Sequence, residues 1–232
     1  MLDFVAIVAV ASLVLCFALP AGGRAAANPK DDPYGGYAVI NETNPYVLTS
    51  GSTTFVLPSS TCKKKGAVGF GVELVAAMTS MHLTRADVAV NCLAKKKVEF
   101  TTYAYLDGNL VPSEIASMHP GDTVAVAVTC DGAGTSVSVN DENTGFTYSQ
   151  SSASPADCDA AQTGGVGVCA NSSCTRQEYL PDFGMVTFSD ALVNGEALGG
   201  FERLVEQYFE GNKNQFGPGP LVGGTAFTLH QT

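Results

Sequence analysis

Residues 180–195 read LPDFGMVTFSDALVNG, and they predict a β-strand held between two turns. Leu180-Pro181-Asp182 supplies turn-forming residues at the start, and Asn194-Gly195 supplies them at the end. Between the turns, Val186 and Phe188 stand two residues apart, which is the period of a strand with one face in a core. This segment therefore favours a fold built from strands joined by short turns.

Short strand-like runs of the same kind recur along the chain and are separated by turn residues. They cover residues 37–40, 53–57, 67–77, 87–91, 98–106, 123–129, 136–140, 146–149, 185–189 and 226–230. Many short strands with regular turn signals indicate an antiparallel sandwich or barrel. Strands do not alternate with helical patterns, which argues against a parallel α/β sheet. We therefore predict an all-β fold.

One short C-terminal helix is expected at residues 200–210. Five apolar residues recur there at helical spacing: Phe201, Leu204, Val205, Tyr208 and Phe209. Such a stripe is typical of a helix that packs against a sheet.

The N-terminal segment predicts a signal peptide at residues 1–27, followed by a single domain at residues 28–232. Residues 4–19 are apolar and uncharged, and Pro20 and Ala25-Ala26-Ala27 follow them. A signal peptide usually begins with a basic region, but here the residue before the apolar run is the acidic Asp3. An uncleaved membrane anchor is therefore the alternative. The apolar run is short for a span, which needs about 20 residues. We expect a secreted protein with no membrane contact after cleavage.

The charge of the chain bears on its partners. The formal net charge is −10, so we expect no nucleic-acid partner, because phosphate contacts need a basic face. Lys63-Lys64-Lys65 and Lys95-Lys96-Lys97 stand out against this acidic background. They either form a local basic patch or sit on separate solvated loop tips.

An even number of cysteines after the signal segment favours disulfides over a metal site. The candidates are Cys62, Cys92, Cys130, Cys158, Cys169 and Cys174, and sequence alone does not pair them. The chain has no Cys-x-x-Cys pair and only 3 histidines, so we expect no metal. No phosphate loop or dinucleotide motif is present, and no cofactor is expected. Asn41 and Asn171 begin glycosylation sequons.

Seven segments, read in order, resemble the glutamic peptidases, also called eqolisins or peptidase family G1. They are GYAVI, STTFVLPSSTC, GAVGFGVELVA, SMHPGDTVAVAVT, ENTGFTYSQ, LPDFGMVTFSDALVNG and PGPLVGGTAFTLHQT, which span residues 34–231 approximately. These peptidases are secreted acid endopeptidases. The resemblance implies a concanavalin A-like antiparallel β-sandwich of two curved sheets.

The resemblance also implies a chemistry, and the sequence departs from it. In the family a glutamate acts as general base and then acid, and a glutamine orients water and stabilises the oxyanion. The best register places Gly165 at the glutamate, and it places His82 or a neighbour within residues 80–83 at the glutamine. The tryptophans that line the family's cleft are also missing, since the chain has none. Glycine cannot transfer a proton, so the family's mechanism is lost at these positions.

Other residues are candidate substitutes in the cleft. Glu73 lies on a strand position that faces the family's cleft, and with His82 it is the candidate acid–base pair. Gln162 and Glu178 flank the altered strand, and a shifted register would bring either one near the cleft. Asp182 is interpreted as a turn residue.

Three functions remain open from the sequence. The first is an inactive relative whose groove binds peptide or glycan, which we favour. The second is an active acid endopeptidase that uses substituted cleft residues. The third is a disulfide-stabilised structural protein without a ligand groove. The oligomeric state is left open.

Overall fold

A computed structural model of the chain describes residues 34–40, 48–76, 82–94, 97–153, 158–167, 179–210 and 215–232. Within these residues two antiparallel sheets account for nearly all of the secondary structure. The only helical element described is a three-residue 3-10 turn at Leu198–Gly200. No helix in the described part of the chain is long and apolar enough to cross a membrane.

The first sheet has seven strands, in the spatial order β13-β1-β10-β3-β4-β5-β6. In chain order its strands are β1 (Tyr34–Ile40), β3 (Gly66–Ala76), β4 (His82–Ala94), β5 (Lys97–Leu106), β6 (Asn109–Leu110), β10 (Ala160–Gly167) and β13 (Leu204–Gln207).

The second sheet has nine strands, in the order β14-β15-β16-β11-β2-β7-β8-β9, with β12 paired to β11. Its strands are β2 (Ser50–Val56), β7 (Thr123–Asp131), β8 (Gly134–Asp141), β9 (Thr147–Ser152), β11 (Met185–Val193), β12 (Glu196–Ala197), β14 (Phe209–Glu210), β15 (Gln215–Pro218) and β16 (Phe227–Gln231). The predicted all-β sandwich is confirmed.

The core lies between the two sheets and is rich in phenylalanine. Phe70 on β3 meets Phe55 on β2 at 6.3 Å between ring centroids, and Phe55 meets Phe188 on β11 at 5.3 Å. Phe188 stacks on Phe227 of β16 at 4.7 Å. Fully burying each ring stabilises the fold by about 2 kcal/mol or more. This row of rings fixes which face of each sheet points inward.

The segment of residues 180–195 forms β11 with one irregularity. Val186 and Phe188 are buried as the alternation predicts, but Ala191 and Val193 are buried as well. A β-bulge between Ser189 and Leu192 inserts one extra residue into β11 opposite β2. Odd-numbered residues therefore point into the core after the bulge, whereas even-numbered residues do so before it. Asp190 takes φ 50° there. The sequence pattern predicted the strand but not its bulge.

The predicted C-terminal helix is wrong. Residues of that stretch form the edge strand β13, which pairs with β1, and then β14 in the other sheet. Phe209 stacks on Phe216 at 4.6 Å, and Tyr37 donates a hydrogen bond to the Gly219 carbonyl at 2.9 Å. The open edge of β1 and these core contacts outweigh a weak helical preference. The apolar residues of this stretch belong to two strands in different sheets, and their combined spacing resembles that of a helix.

Two disulfides close the described part of the fold. Cys62 pairs with Cys92, and Cys130 pairs with Cys158. Cys169 and Cys174 lie outside the described residues, as do Asn41, Asn171 and the signal-like segment.

Candidate functional site

Polar residues collect on the face of the seven-stranded sheet that points away from the core. On β3, Val72 and Leu74 belong to the core, so Gly71 and Glu73 project from the opposite face. Glu73 lies directly across from Gln162 on β10. It is 9% exposed and Gln162 is 5% exposed, so both side chains are sheltered. Side chains paired in this way have Cβ atoms about 5 Å apart.

A buried ion pair extends this polar row onto β4. Arg85 lies across from Glu73, and its Nε atom bonds the Asp87 Oδ2 atom. The Arg85 side chain is 15% exposed and that of Asp87 is 4% exposed. A Cβ atom added at Gly69 would lie 3.3 Å from an Arg85 terminal nitrogen, so the guanidinium reaches over β3. A glycine at this position leaves room for it.

The charges on this face are coupled to one another. Burial by itself lowers the pKa of Arg85, but the Asp87 and Glu73 carboxylates raise it, and the net shift is upward. Burial raises the pKa of Asp87, and Arg85 opposes part of that rise. Arginine keeps its charge throughout the accessible pH range. Arg85 therefore stands as a fixed cation between two carboxyl groups.

A row of glycines crosses the same face beside the polar row. Gly36 on β1 pairs with Gly164 on β10, which pairs with Gly71 on β3. Gly36 and Gly164 both take φ 153°, and a Cβ atom at either would lie within 2.3 Å of the neighbouring strand's carbonyl oxygen. At one end of the row, Gln207 is 8% exposed, and its Oε1 atom has no hydrogen-bond partner among the described residues. The face thus combines side-chain-free backbone with buried polar groups.

Gly165, the position matched to the family's glutamate, lies on the other face of the sheet. A Cβ atom there would meet the ring of Phe216 at 2.9 Å and Leu229 at 3.2 Å, inside the sandwich. An acid at position 165 would therefore point into the core, away from the Glu73 face. Its neighbours Gly164 and Gln162 are the β10 positions on the Glu73 face.

The register also places the two residues of the candidate acid–base pair. His82 is the first residue of β4 and lies across from Ala76, whereas Glu73 lies across from Arg85. Arg85, not His82, is thus the direct cross-strand neighbour of Glu73 on β4. The Glu73–His82 pair stays a hypothesis that the variants proposed below would test.

Three residues of the polar face were missed or misjudged in the sequence. The sequence brings Gln162 near the cleft only in a shifted register, and Arg85 and Asp87 are not among its predicted site residues. The signal for β4 was present, because Arg85 and Asp87 alternate with Ala86 and Val88, which are both fully buried. A polar face opposite an apolar face is the pattern of a strand whose two sides have different roles.

Two sequence-predicted candidates remain, Asp182 and Glu178. Asp182 forms an isolated β-bridge with Thr61, and its interpretation as a turn residue stays a prediction. Glu178 lies outside the described residues. No cluster of three or more metal-ligating side chains occurs within the described ranges.

The fold has close counterparts among solved structures. Scytalido-glutamic peptidase with a transition state analog inhibitor superposes with a TM-score of 0.63 at 14% identity, over 87% of this chain and 99% of that one. The fold is that of the glutamic peptidases. SCP-B, an eqolisin-family peptidase in complex with the tripeptide Ala-Ile-His, gives a TM-score of 0.60 at 16% identity over the same shares. No family model matches the sequence, and no curated protein matches it. At these identities the comparisons establish a shared fold and leave the chemistry to the site.

Proposed function

We propose that this is a secreted peptide-binding protein that uses the polar face of a glutamic-peptidase-like sandwich without hydrolysing its ligand. The observation that carries the proposal is the position of Arg85 between Glu73 and Asp87. An adjacent guanidinium stabilises the ionised form of a carboxyl group. Peptide hydrolysis by a carboxyl group requires it to take up a proton and return it to the leaving amine. Arg85 opposes that cycle at Glu73.

Peptide is favoured over glycan as the ligand by the related folds and by the glycine row. Two of the structural counterparts are described with a peptide-based analog or a tripeptide bound. The glycines Gly36, Gly164 and Gly71 remove side chains from three neighbouring strands and allow an extended main chain to approach the sheet closely. The Gln207 Oε1 atom at the end of this row is buried without a partner among the described residues, so rotation of this side chain would present an acceptor to the ligand.

The alternative is an active acid endopeptidase, and one observation favours it. Glu73 and Gln162 place a carboxyl group beside an amide, which are the two groups that the family's chemistry uses. In this arrangement Glu73 would activate the water, and the Gln162 amide would donate to the developing oxyanion.

One set of measurements separates the two functions. The purified protein is incubated with denatured casein from about pH 2 to pH 7, beside Glu73→Gln, Gln162→Ala and His82→Ala variants. Binding of casein peptides and of Ala-Ile-His is measured in parallel by calorimetry. Glu142→Gln, an exposed change in a distant turn, is the control.

Our proposal expects binding without turnover, and weaker binding in the Glu73 and Gln162 variants but not in the control. Turnover that disappears in Glu73→Gln would establish the endopeptidase instead. Loss of turnover in both Glu73→Gln and His82→Ala would establish the Glu73–His82 pair. Absence of both turnover and peptide binding would refute the proposal, and a glycan array would then identify a glycan-binding face.

Secretion is part of the proposal and has its own test. The two disulfides favour an oxidising compartment, and the apolar segment at residues 4–19 is the predicted export signal. N-terminal sequencing of protein from the culture medium should start close after Ala27. A product retained in the membrane with residues 1–27 intact would show an anchor.

A further inference from the structure

Four lysines from the two lysine-rich stretches, Lys63–Lys65 and Lys97, lie at one end of the seven-stranded sheet, while Lys95 and Lys96 lie outside the described residues. Gly66, directly after Lys63–Lys65, pairs with Cys92 near the end of β4, and Lys97 at the start of β5 pairs with Ala94. All four of these lysines are exposed. We call this group of Lys63, Lys64, Lys65 and Lys97 the lysine patch.

The lysine patch is held in place by covalent and aromatic contacts. The Cys62–Cys92 disulfide joins the residue before Lys63 to β4. Tyr179 forms a bridge with Gly66, and the Lys64 ammonium lies 5.9 Å from the centre of the Tyr179 ring. Such a cation–π contact restrains a lysine that would otherwise move freely. A restrained patch loses less entropy on binding than separate loop tips would.

The charge of the patch contrasts with the rest of the molecule. The other described cations are Arg85, which is buried in its ion pair, and Arg203 on an exposed turn. The chain as a whole carries a net charge of −10. Glu99 and Asp182 lie on segments that border the patch and limit its extent.

The patch is separated along β3 from Glu73 and Gln162, the part of the polar face that carries the proposed peptide binding. Gly66 and Glu73 belong to the same strand and are seven residues apart, which corresponds to about 23 Å along β3. Binding at the patch and binding at Glu73 are therefore separable by mutation.

We propose that the lysine patch binds an anionic polysaccharide that carries sulfate or uronic carboxylate groups. Regularly spaced anions on a flexible chain suit four exposed ammonium groups grouped at one sheet end. A nucleic-acid duplex is disfavoured, because a stiff duplex would carry its phosphates past the four lysines and along the acidic surface, whereas a flexible chain can bend away from that surface. A membrane surface is disfavoured because, among the described residues of β4 and β5 at this end, only Leu93 is an exposed large apolar side chain, at 37%.

The test uses the full secreted protein with heparin and polygalacturonate as probes. Dissociation constants are measured by calorimetry at several salt concentrations for the wild type, for Lys63→Gln, Lys65→Gln and Arg203→Gln singly, and for a variant with all four patch lysines changed to Gln. We expect salt-sensitive binding, and an affinity at least about tenfold lower when four exposed ion pairs are removed. Lys63→Gln and Lys65→Gln should each weaken binding, while Arg203→Gln, which removes a cation elsewhere, should not.

Several results would overturn this inference. Equal affinity in the wild type and the fourfold variant would do so, as would tighter binding to phosphatidylserine vesicles than to either polysaccharide. Salt-sensitive self-association that the fourfold variant abolishes would assign the patch to a second copy of this chain. The unfolding midpoint and peptide binding of each variant are measured alongside. Unchanged peptide binding with lost polysaccharide binding separates this result from any failure of the peptide-binding function.

Discussion

Gln162 and Glu73 face each other in register across β10 and β3, and each is less than a tenth exposed. An amide opposite a carboxylate is tolerated at this spacing, because the amide can donate a hydrogen bond. Gln162→Glu would instead place two carboxylates opposite each other and should destabilise the protein by about 1 kcal/mol.

Adding Glu73→Gln to Gln162→Glu should recover part of that loss, because a single carboxylate then faces a single amide again, as in the wild type. Urea unfolding at pH 7 measures both variants. Additive destabilisation in the double variant would show that the two side chains do not interact.

The Arg85–Asp87 pair should behave as a buried ion pair. Arg85→Met leaves Asp87 without its counter-charge and should cost about 3 kcal/mol, because an uncompensated buried charge remains. The double change Arg85→Met with Asp87→Leu removes both charges and should cost less than the single change. Urea unfolding compares the two, and a double variant less stable than the single one would contradict this account.

The glycine row should tolerate no side chain at its centre. Gly164→Ala places a Cβ atom 2.3 Å from the Gly35 carbonyl oxygen at φ 153°, and it should destabilise the protein by about 3 kcal/mol. Gly132→Ala is the control, because no atom of the described residues lies within 4 Å of its added Cβ atom. The control should be neutral or stabilising by about 0.5 kcal/mol. Thermal unfolding distinguishes them, and equal midpoints would argue against the close strand approach.

Asp141 should contribute a pH-dependent part of the stability. Burial raises its pKa, but hydrogen bonds from Thr144 and Asn143 lower it, and the net shift is downward. A lowered pKa in the folded protein means stability that is present above the unfolded pKa and is lost as the pH falls through the folded pKa. Asp141→Asn should therefore lose less stability on acidification than the wild type.

Urea unfolding at pH 7 and at about pH 3 measures this difference, since a carboxylate titrates between those values. Asp131→Asn serves as the control, because Asp131 also accepts backbone hydrogen bonds in a hairpin turn. The same flattening in both variants would trace the effect to net charge and not to the Asp141 turn.

The two disulfides should each be detectable and stabilising. Peptide mapping without reduction should recover Cys62 linked to Cys92 and Cys130 linked to Cys158. Each closes a loop of 30 or 28 residues in sequence separation, so removing either should cost about 3 kcal/mol. A double change of Cys62 and Cys92 to Ser, followed by urea unfolding, tests the magnitude. Other linkages in the map would contradict the structure.

The sequence alone determined the fold class of this protein. Two local signals carry it: the period of two in segments such as residues 123–129, and turn signals such as Asn194-Gly195. Both depend only on residues that are close together in the sequence. The two turn residues take φ 52° and 75°, as such a hairpin turn requires. The strand through Val186 and Phe188 was predictable for the same reason.

Only the tertiary structure decided the bulge in β11, the strand that replaced the predicted helix, and the composition of the polar face. Each depends on which strands become neighbours, and that is set by packing between residues distant in sequence. Glu73, Arg85 and Gln162 meet only because β3 pairs with β4 on one side and with β10 on the other. A shift of one residue in that register would send the same side chains into the core. The sequence supplied the charges, and strand pairing placed them together.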